Sequence, residues 1–377
     1  MAARALSPSS SFKSNSSPTR ESAVQEVYAA LGVPEPGVRL LALDDGGIRG
    51  ISMLLLLRGI FNRIQRATGL PSPPLPCEYF DIIAGSGTGG FIALLLGRLR
   101  LSIENAIECY TRVVSQVFSQ IKVDGSFKTT PFEKVLKEIC DRFGDGEDTP
   151  IQENPPIQCK TFVCARESRG AGNVVFRKLR TYTHPTERSV RCTLLEAVRA
   201  TMGHSVFFKP LSVTKENSST TLLDAGDDHY NPVVDLYEEA ESLYPSRRIA
   251  YFLSLGAGKS NTVGCNPSRR FANKPRLPEP ALAALRHLAD RCDSIASAFQ
   301  AQHADLHRIF VRLTPTDDSY DGSIRWENVE SLEDFILPYL LVVDKQLQML
   351  VIAMRTETAL VASSRRLHYD HQTRSWC

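Results

Sequence analysis

Residues 79–99 read YFDIIAGSGTGGFIALLLGRL, and this stretch decides the fold. A short apolar run rich in β-branched residues spans Phe80 to Ala84, glycines crowd the next positions, and an uninterrupted apolar run begins at Phe91. This order predicts a buried strand, a tight turn and a buried helix. Glycines at such a turn allow positive φ and let a helix N-terminus approach a neighbouring strand or a ligand. We therefore expect a site for chemistry at this turn.

One kind of site with this layout is the nucleophile elbow, G-x-S-x-G. A strained strand-to-helix turn exposes a serine there and aims helix N–H groups at an oxyanion. Gly85 and Gly89 are the outer glycines of such a motif. The nucleophile position is Gly87, flanked by Ser86 and Thr88. The function of the chain depends on that glycine.

The same glycines also fit the dinucleotide-binding turn G-x-G-x-x-G, with Gly85, Gly87 and Gly90 in the three glycine positions. Such a site needs an acidic residue about 20 positions further on, at the end of a second strand. Glu104 and Glu108 stand at that distance, but in a segment with helical signals. A nucleotide-binding α/β protein is therefore an alternative for which the sequence shows only part of the expected motif.

A second strand, turn and helix unit precedes the first. Arg39–Leu43 is an apolar strand, the sequence DDGGIRG occupies residues 44–50, and Ile51–Thr68 has the pattern of a long apolar helix. Turns of this kind converge at the carboxyl edge of a parallel sheet, where open α/β sheets bind ligands. Gly46 and Gly47 offer backbone N–H groups without side chains, which suits an oxyanion or a phosphate.

The rest of the chain predicts further strands and then a helical region. Strands are expected at residues 161–165, 174–176, 221–223 and 248–255, the last strand of the chain, and helices at 102–120, 131–143, 193–201, 233–243, 278–302 and 328–359. Asp224 follows a strand and precedes small residues, so its side chain could reach into a cleft. By base rate, an aspartate that only caps a turn is the commoner outcome.

The composition and spacing of residues argue against nucleic-acid-binding, disulfide-bonded, membrane-spanning and metal-binding proteins. A net charge of +2 over 377 residues gives no pull towards nucleic acid. Nine cysteines without a C-x-x-C pair fit a reduced, cytoplasmic protein. No apolar run approaches the roughly 20 residues of a transmembrane helix, so any membrane contact is expected to be peripheral. His303 and His307 lack a third ligand at suitable spacing, so we expect no metal. Oligomeric state has no signal in the sequence.

Together these segments resemble the patatin-like phospholipase family, in particular its fungal intracellular members. That family carries a D-G-G-G-x-R-G oxyanion loop, a G-x-S-x-G elbow and a D-G-G or D-G-A aspartate followed by an N-P pair. Here the corresponding stretches are LDDGGIRG at 43–50, GSGTGG at 85–90, and DAG at 224–226 followed by Asn231 and Pro232. The likeness extends from about residue 38 to 260.

The resemblance implies a three-layer α/β fold with a mostly parallel sheet at residues 38–260. A disordered tail at 1–20, an N-terminal helix and linker at 21–37, and a mostly helical extension at 261–377 complete the expected domains. The resemblance also implies a lipid or fatty-acyl ester as ligand and a mechanism without cofactor or metal. In that mechanism a serine attacks the acyl carbonyl and Asp224 acts as its base. The implied oxyanion and binding residues are Gly46, Gly47, Arg49, Gly50, Gly85, Thr88 and Gly89.

The sequence departs from the family at the positions that matter most. Gly87 has no side-chain nucleophile, Asp45 replaces the first glycine of the oxyanion loop, and Ala225 replaces the glycine after the aspartate. The first hypothesis is that serine chemistry is lost or weak and a lipid-binding or acyl-binding role remains. The alternative is an active hydrolase that uses Ser86, or a water molecule, with Asp224 as base. An inward-pointing Asp45 would oppose acyl chemistry, whereas an outward-pointing one would be an ordinary turn residue.

Overall fold

The computed structural model describes residues 35–153, 159–168, 173–188, 190–215, 218–263, 278–316 and 329–374. The predicted tail at 1–20 and nearly all of the predicted helix and linker at 21–37 lie outside these residues. From Gly37 onward the described residues group into one unit.

The described strands form one eight-stranded sheet. They are β1 (Val38–Leu43), β2 (Ile82–Ser86), β3 (Lys160–Ser168), β4 (Val174–Arg180), β5 (Leu211–Lys215), β6 (Ser218–Leu223), β7 (Ile249–Leu255) and β8 (Phe310–Leu313). The order is β5-β6-β3-β2-β1-β7-β8, with β4 also paired to β3. Strands β3, β2, β1, β7 and β8 run parallel, while β4, β5 and β6 make the antiparallel pairs. The prediction of a mostly parallel sheet is confirmed.

Helices cover the sheet on both faces, as an α/β fold with parallel strands requires. They are α1 (Ile51–Thr68), α2 (Pro76–Tyr79), α3 (Gly87–Ala93), α4 (Ile103–Val113), α5 (Thr129–Phe143), α6 (Leu194–Thr201), α7 (Val233–Leu243), α8 (Glu279–Gln302), α9 (Val329–Val342) and α10 (Asp344–Arg374). Helix α1 contacts α4, α9 and α10, whereas α7 contacts α8. Right-handed crossovers place these two groups on opposite faces and give three layers.

The central strands are hydrophobic because both of their faces are covered. Every residue of β1 and β2 is buried. The long helix predicted at Ile51–Thr68 is confirmed with those bounds. The predicted cap at Ser102 is confirmed too, since its side chain accepts a hydrogen bond from the Asn105 N–H at 3.2 Å.

The sheet extends further along the chain than the sequence predicted. Residues 248–255 were expected to hold the last strand, but Phe310–Leu313 forms β8 and pairs in parallel with β7. This prediction was wrong because a four-residue segment between helices is too short to show the periodicity of a strand. Among the described residues, no single helix is long and apolar enough to cross a membrane; α9 and α10 reach that composition only together, across a bend of 83°.

Candidate active site

The two glycine-rich turns meet at one edge of the sheet because their strands are adjacent and in register. Leu43 at the end of β1 pairs with Gly85 on β2 and with Leu255 on β7. The turns that follow β1 and β2 therefore emerge side by side at the carboxyl edge, as predicted from the sequence. Gly46 N–H donates to the Thr88 hydroxyl at 3.1 Å and links the two turns directly.

The turn after β2 keeps the backbone shape of a nucleophile elbow. Gly87 begins α3 with φ of +52°, the left-handed region that side chains rarely adopt. Strand and helix approach so closely that a Cβ on Gly85 would lie 2.2 Å from the Gly89 carbonyl oxygen. The elbow is thus present, with a glycine where the attacking side chain would stand.

Asp45 points into this elbow. A Cβ added to Gly87 would lie 2.0 Å from the Asp45 carboxyl carbon and 2.1 and 2.2 Å from its two oxygens. Asp45 Oδ1 accepts hydrogen bonds from the backbone N–H of Gly47 at 3.1 Å and of Thr88 at 3.3 Å. The carboxylate therefore occupies both the volume of a nucleophile side chain and the donor pair that would hold an oxyanion.

Burial shapes the electrostatics of Asp45. Removal from water raises the pKa of this carboxyl group to about 7, against the opposing effect of the hydrogen bonds from Gly47 and Thr88. The neighbouring carboxylates of Asp224 and Asp44 raise it further. Near neutral pH the group is divided between its acid and its carboxylate form.

Asp224, the predicted base, lies nearby, but both of its carboxylate oxygens already accept hydrogen bonds. Arg166 donates to Asp224 Oδ1 at 2.6 Å, and the Tyr230 hydroxyl donates to Oδ2 at 3.0 Å. The backbone carbonyl of Tyr230 also accepts from Asp45 N–H at 2.8 Å, so one residue links both acids. The pairing of Arg166 with Leu223 across β3 and β6 places the guanidinium beside Asp224.

Ser86, the possible substitute nucleophile, is directed elsewhere. Its hydroxyl donates to the His229 carbonyl oxygen at 2.5 Å and is fully buried. The His229 ring lies 3.0 Å from the Asp235 carboxylate and stacks on Phe176. Among the described contacts Ser86 makes no hydrogen bond to Asp224, so the dyad that the alternative requires is not formed in this arrangement.

An apolar cavity adjoins Asp45. Its lining is mostly aromatic and aliphatic, and comprises Asp45, Gly47, Ile48, Thr88, Phe118, Phe127, Met202, His204, Phe207 and Phe208. The open volume is about 20 Å³, room for about one water molecule. An aliphatic chain could enter only after some lining side chains move.

The comparison with known proteins agrees with this geometry. The model of the patatin-like phospholipase family matches residues 41–235, which span the oxyanion loop, the elbow and Asp224. This chain belongs to the patatin-like phospholipase family. Calcium-independent phospholipase A2-gamma of Oryctolagus cuniculus is 27% identical over 278 residues, 69% of this chain and 33% of that protein.

Two plant relatives complete the comparison. Phospholipase A I of Arabidopsis thaliana is 24% identical over 293 residues, 61% of this chain and 21% of that protein. Probable inactive patatin-like protein 9 of the same plant is 28% identical over 256 residues, 62% of this chain and 63% of that protein. The chain spans about a third of the length of the mammalian relatives that it matches.

Not every residue expected at a patatin-like site faces the cavity. Arg49 is buried and donates to the carbonyl oxygens of Gly258 and Lys259, both at 3.1 Å. It ties the oxyanion loop to the turn after β7 and does not line the cavity. Gly50 acts through close packing, since a Cβ there would meet the Tyr110 hydroxyl at 2.5 Å and Thr88 at 2.7 Å.

The C-terminal region takes part in the patatin-like site. Helix α8 lies over the oxyanion loop, where Leu285 would contact any side chain placed on Gly47. Cys292 on the same helix approaches the Asp45 carbonyl oxygen at 3.7 Å. Sequence analysis missed this cover, as well as Arg166 and Tyr230. Arg166 lies on a distant strand, and Tyr230 lies between Asp224 and the Asn231-Pro232 pair at a position that the motif leaves open.

The dinucleotide alternative receives no support at the helix N-terminus. Gly87 N–H donates to the Thr201 hydroxyl at 2.9 Å and Thr88 N–H donates to Asp45. The donors that a pyrophosphate would use are therefore engaged, and a carboxylate stands in the anion position. Glu104 and Glu108 lie on α4, not at the end of a strand.

One cluster outside the patatin-like site has the composition of a metal site. Ligand atoms of His184, Glu187 and Glu239 lie within 4.8 Å of one another. Glu239, however, accepts from Arg180 at 2.5 Å and from Lys178 at 3.1 Å. Burial alone would raise the pKa of Glu239, but hydrogen bonds from Arg180 and Tyr182 lower it to about 2. The cations that a metal would have to displace identify a structural ion-pair cluster.

Proposed function

We propose that this patatin-like protein binds the apolar chain of a lipid in a cleft inherited from lipid acyl hydrolases, without serine hydrolysis. The observation that carries the proposal is the Asp45 carboxylate, which fills the position of the nucleophile at Gly87 and accepts from the oxyanion donors. The similar plant protein whose name includes "probable inactive" is compatible with this proposal.

Acyl transfer needs a nucleophile, a base and a stabilised oxyanion, and the arrangement opposes all three. Gly87 offers no hydroxyl group. The Asp224 carboxylate accepts hydrogen bonds from Arg166 and Tyr230, so it is not directed at a serine. A second negative charge beside Asp45 would be repelled where an oxyanion should be stabilised. The structure therefore favours retention of the fold over retention of the reaction.

The alternative is an active hydrolase that uses Ser86. It requires the Ser86 hydroxyl to leave the His229 carbonyl and turn towards Asp224. That rearrangement would break a buried hydrogen bond and rebuild the end of β2, where Ser86 pairs with Cys164. The geometry does not favour this rearrangement. The Ser86 alternative nevertheless makes a clear kinetic prediction.

The test is hydrolysis of a chromogenic fatty-acyl ester by wild-type protein, Ser86→Ala and Asp224→Asn. We expect all three proteins to hydrolyse the ester no faster than buffer alone, because none has a competent nucleophile. The control is a fatty-acyl esterase assayed beside them with the same ester. Wild-type turnover that Ser86→Ala abolishes would overturn the proposal and establish the alternative.

We propose that the lipid is met at a membrane surface on the cytoplasmic side. The exposed apolar side chains around the corner between α9 and α10 support surface contact; they are Leu337, Leu341, Val342, Met349 and Ile352. Among the described cysteines, Cys77, Cys109, Cys140, Cys159, Cys164 and Cys292 are free thiols, in keeping with a reducing compartment. Sedimentation with lipid vesicles tests this contact, and Leu341→Asp is expected to weaken it.

A further inference from the structure

Asp45 is a buried carboxylate without a cationic partner, unlike its two acidic neighbours. Arg312 donates to both oxygens of Asp44, at 2.9 and 2.6 Å, and Arg166 pairs with Asp224 at 2.6 Å. Within the part of the chain that the structure describes, Asp45 forms no ion pair. A buried carboxyl group is ordinarily paired with a cation or holds a proton, because removing its charge from water costs free energy.

One oxygen of Asp45 has unused hydrogen-bonding capacity, and Asp45 lines the cavity. Oδ1 takes the Gly47 and Thr88 donors, whereas Oδ2 has no hydrogen-bond partner among the described residues. Asp45 itself is 6% exposed and contributes to the cavity lining. A donor on a ligand in this cavity would therefore find Oδ2 as its acceptor.

The cavity that Asp45 lines is largely aromatic. Phe127 lies at the centre of a cluster, with its ring centroid 5.0 Å from that of Phe118, 5.9 Å from Phe207 and 5.6 Å from Phe208. Aromatic faces attract cations. His204 also lines the cavity, and burial lowers its pKa, so it does not supply the missing positive charge at neutral pH.

We propose that this cleft selects an apolar chain that ends in an ammonium group, and rejects the carboxylate and acyl-ester head groups that an intact oxyanion site would accept. The ammonium donates to Asp45 Oδ2 and the chain follows the phenylalanine cluster. The proposal rests on the proposed function, since it assigns the head group of the lipid bound in the same cleft.

The present closure of the cavity fits a chain-binding cleft that opens at its rim. Ile48, Phe118 and His204 are partly exposed, so opening here would move side chains at the surface end of the lining. Met202, with its flexible thioether chain, is adaptable at the inner wall. Charge determines the head group, because a carboxylate brought to this position would stand against Asp45 with its two backbone donors already in use.

The test compares octylamine, 1-octanol and octanoate, three eight-carbon ligands whose head groups are cationic, neutral and anionic. Affinity is measured by isothermal titration calorimetry at pH 7.5 and below the micellar concentration. We expect octylamine to bind wild type at least about tenfold more tightly than octanoate, in line with a charge-assisted hydrogen bond. Asp45→Asn should remove this preference, and Asp45→Gly should reverse it by freeing the Gly47 and Thr88 donors.

Asp290→Asn is the matched control, because Asp290 is an exposed aspartate on α8 and its loss should leave the preference for octylamine unchanged. Tighter binding of octanoate than of octylamine by wild type, or a preference for the amine that survives in Asp45→Asn, would overturn the head-group assignment while leaving chain binding intact. Failure of all three ligands to bind wild type and Asp45→Gly would instead overturn the proposed function itself.

Discussion

The paired change Asp45→Gly with Gly87→Ser is expected to hydrolyse a fatty-acyl ester on the order of 10³-fold faster than wild type. Each single change should stay at the wild-type level. Gly87→Ser alone places a Cβ 2.0 Å from the Asp45 carboxyl carbon, so the elbow must distort to hold it. Asp45→Gly alone frees the oxyanion donors but leaves no nucleophile. Only the pair supplies a hydroxyl group, its space and the Gly47 and Thr88 donors together.

The dependence on Asp224 distinguishes a restored dyad from incidental reactivity. Adding Asp224→Asn to the paired variant should return the rate to background, because the amide cannot accept the proton of the attacking hydroxyl. Activity of Gly87→Ser alone, equal to that of the pair, would contradict the placement of Asp45. So would a folded paired variant with no activity.

Asp45 is also expected to make the protein less stable as pH rises from about 4 to about 7. An unfolded aspartate titrates near pH 4, whereas burial raises the pKa of Asp45 to about 7 in the folded protein. Between these values the folded state binds more protons than the unfolded state, so the free energy of unfolding falls with increasing pH and levels off above pH 7. The difference corresponds to roughly 4 kcal/mol at full ionisation.

The measurement is urea unfolding of wild type and Asp45→Asn at several pH values. Asparagine keeps the shape and one acceptor oxygen but has no titrating proton. The two proteins should differ least at pH 4, and by pH 8 the variant should have gained about 4 kcal/mol relative to wild type. The control Asp290→Asn, at an exposed position on α8, should follow wild type at every pH. A difference between wild type and Asp45→Asn that does not change with pH would contradict the burial of an unpaired carboxyl group.

Much of the fold could be predicted because its patterns are local. The apolar run and glycines of 79–99 predict a strand, turn and helix on their own, and the bounds of Ile51–Thr68 follow from an uninterrupted helical pattern. Strand β8 could not be predicted, because Phe310–Leu313 becomes a strand only through pairing with β7. Its assignment depends on a tertiary neighbour rather than on its own sequence.

Some residues of the candidate site could likewise be predicted from local motifs, whereas others depend on tertiary contacts. The glycine turns and Asp224 could be named from motifs, and the absence of a serine at Gly87 was visible in the sequence. The sequence did not show which way the Asp45 side chain points, because an aspartate in a turn can face solvent or the cleft. Its contact with Gly87 depends on the register of β1 and β2. Arg166 gains its role from β3, far from the glycine turns, and Tyr230 gains its role from the fold of the loop after β6.

The most direct test of the central claim, that Asp45 occupies the place of a nucleophile, is reaction with an alkyl fluorophosphonate followed by intact-protein mass spectrometry. In a competent site a serine oxygen bonds to phosphorus, fluoride leaves, and the mass increases by one phosphonyl group. We predict no adduct on wild type or on either single variant, and one adduct at position 87 in the paired variant. An adduct at Ser86 of wild type would contradict the account and identify a working hydrolase.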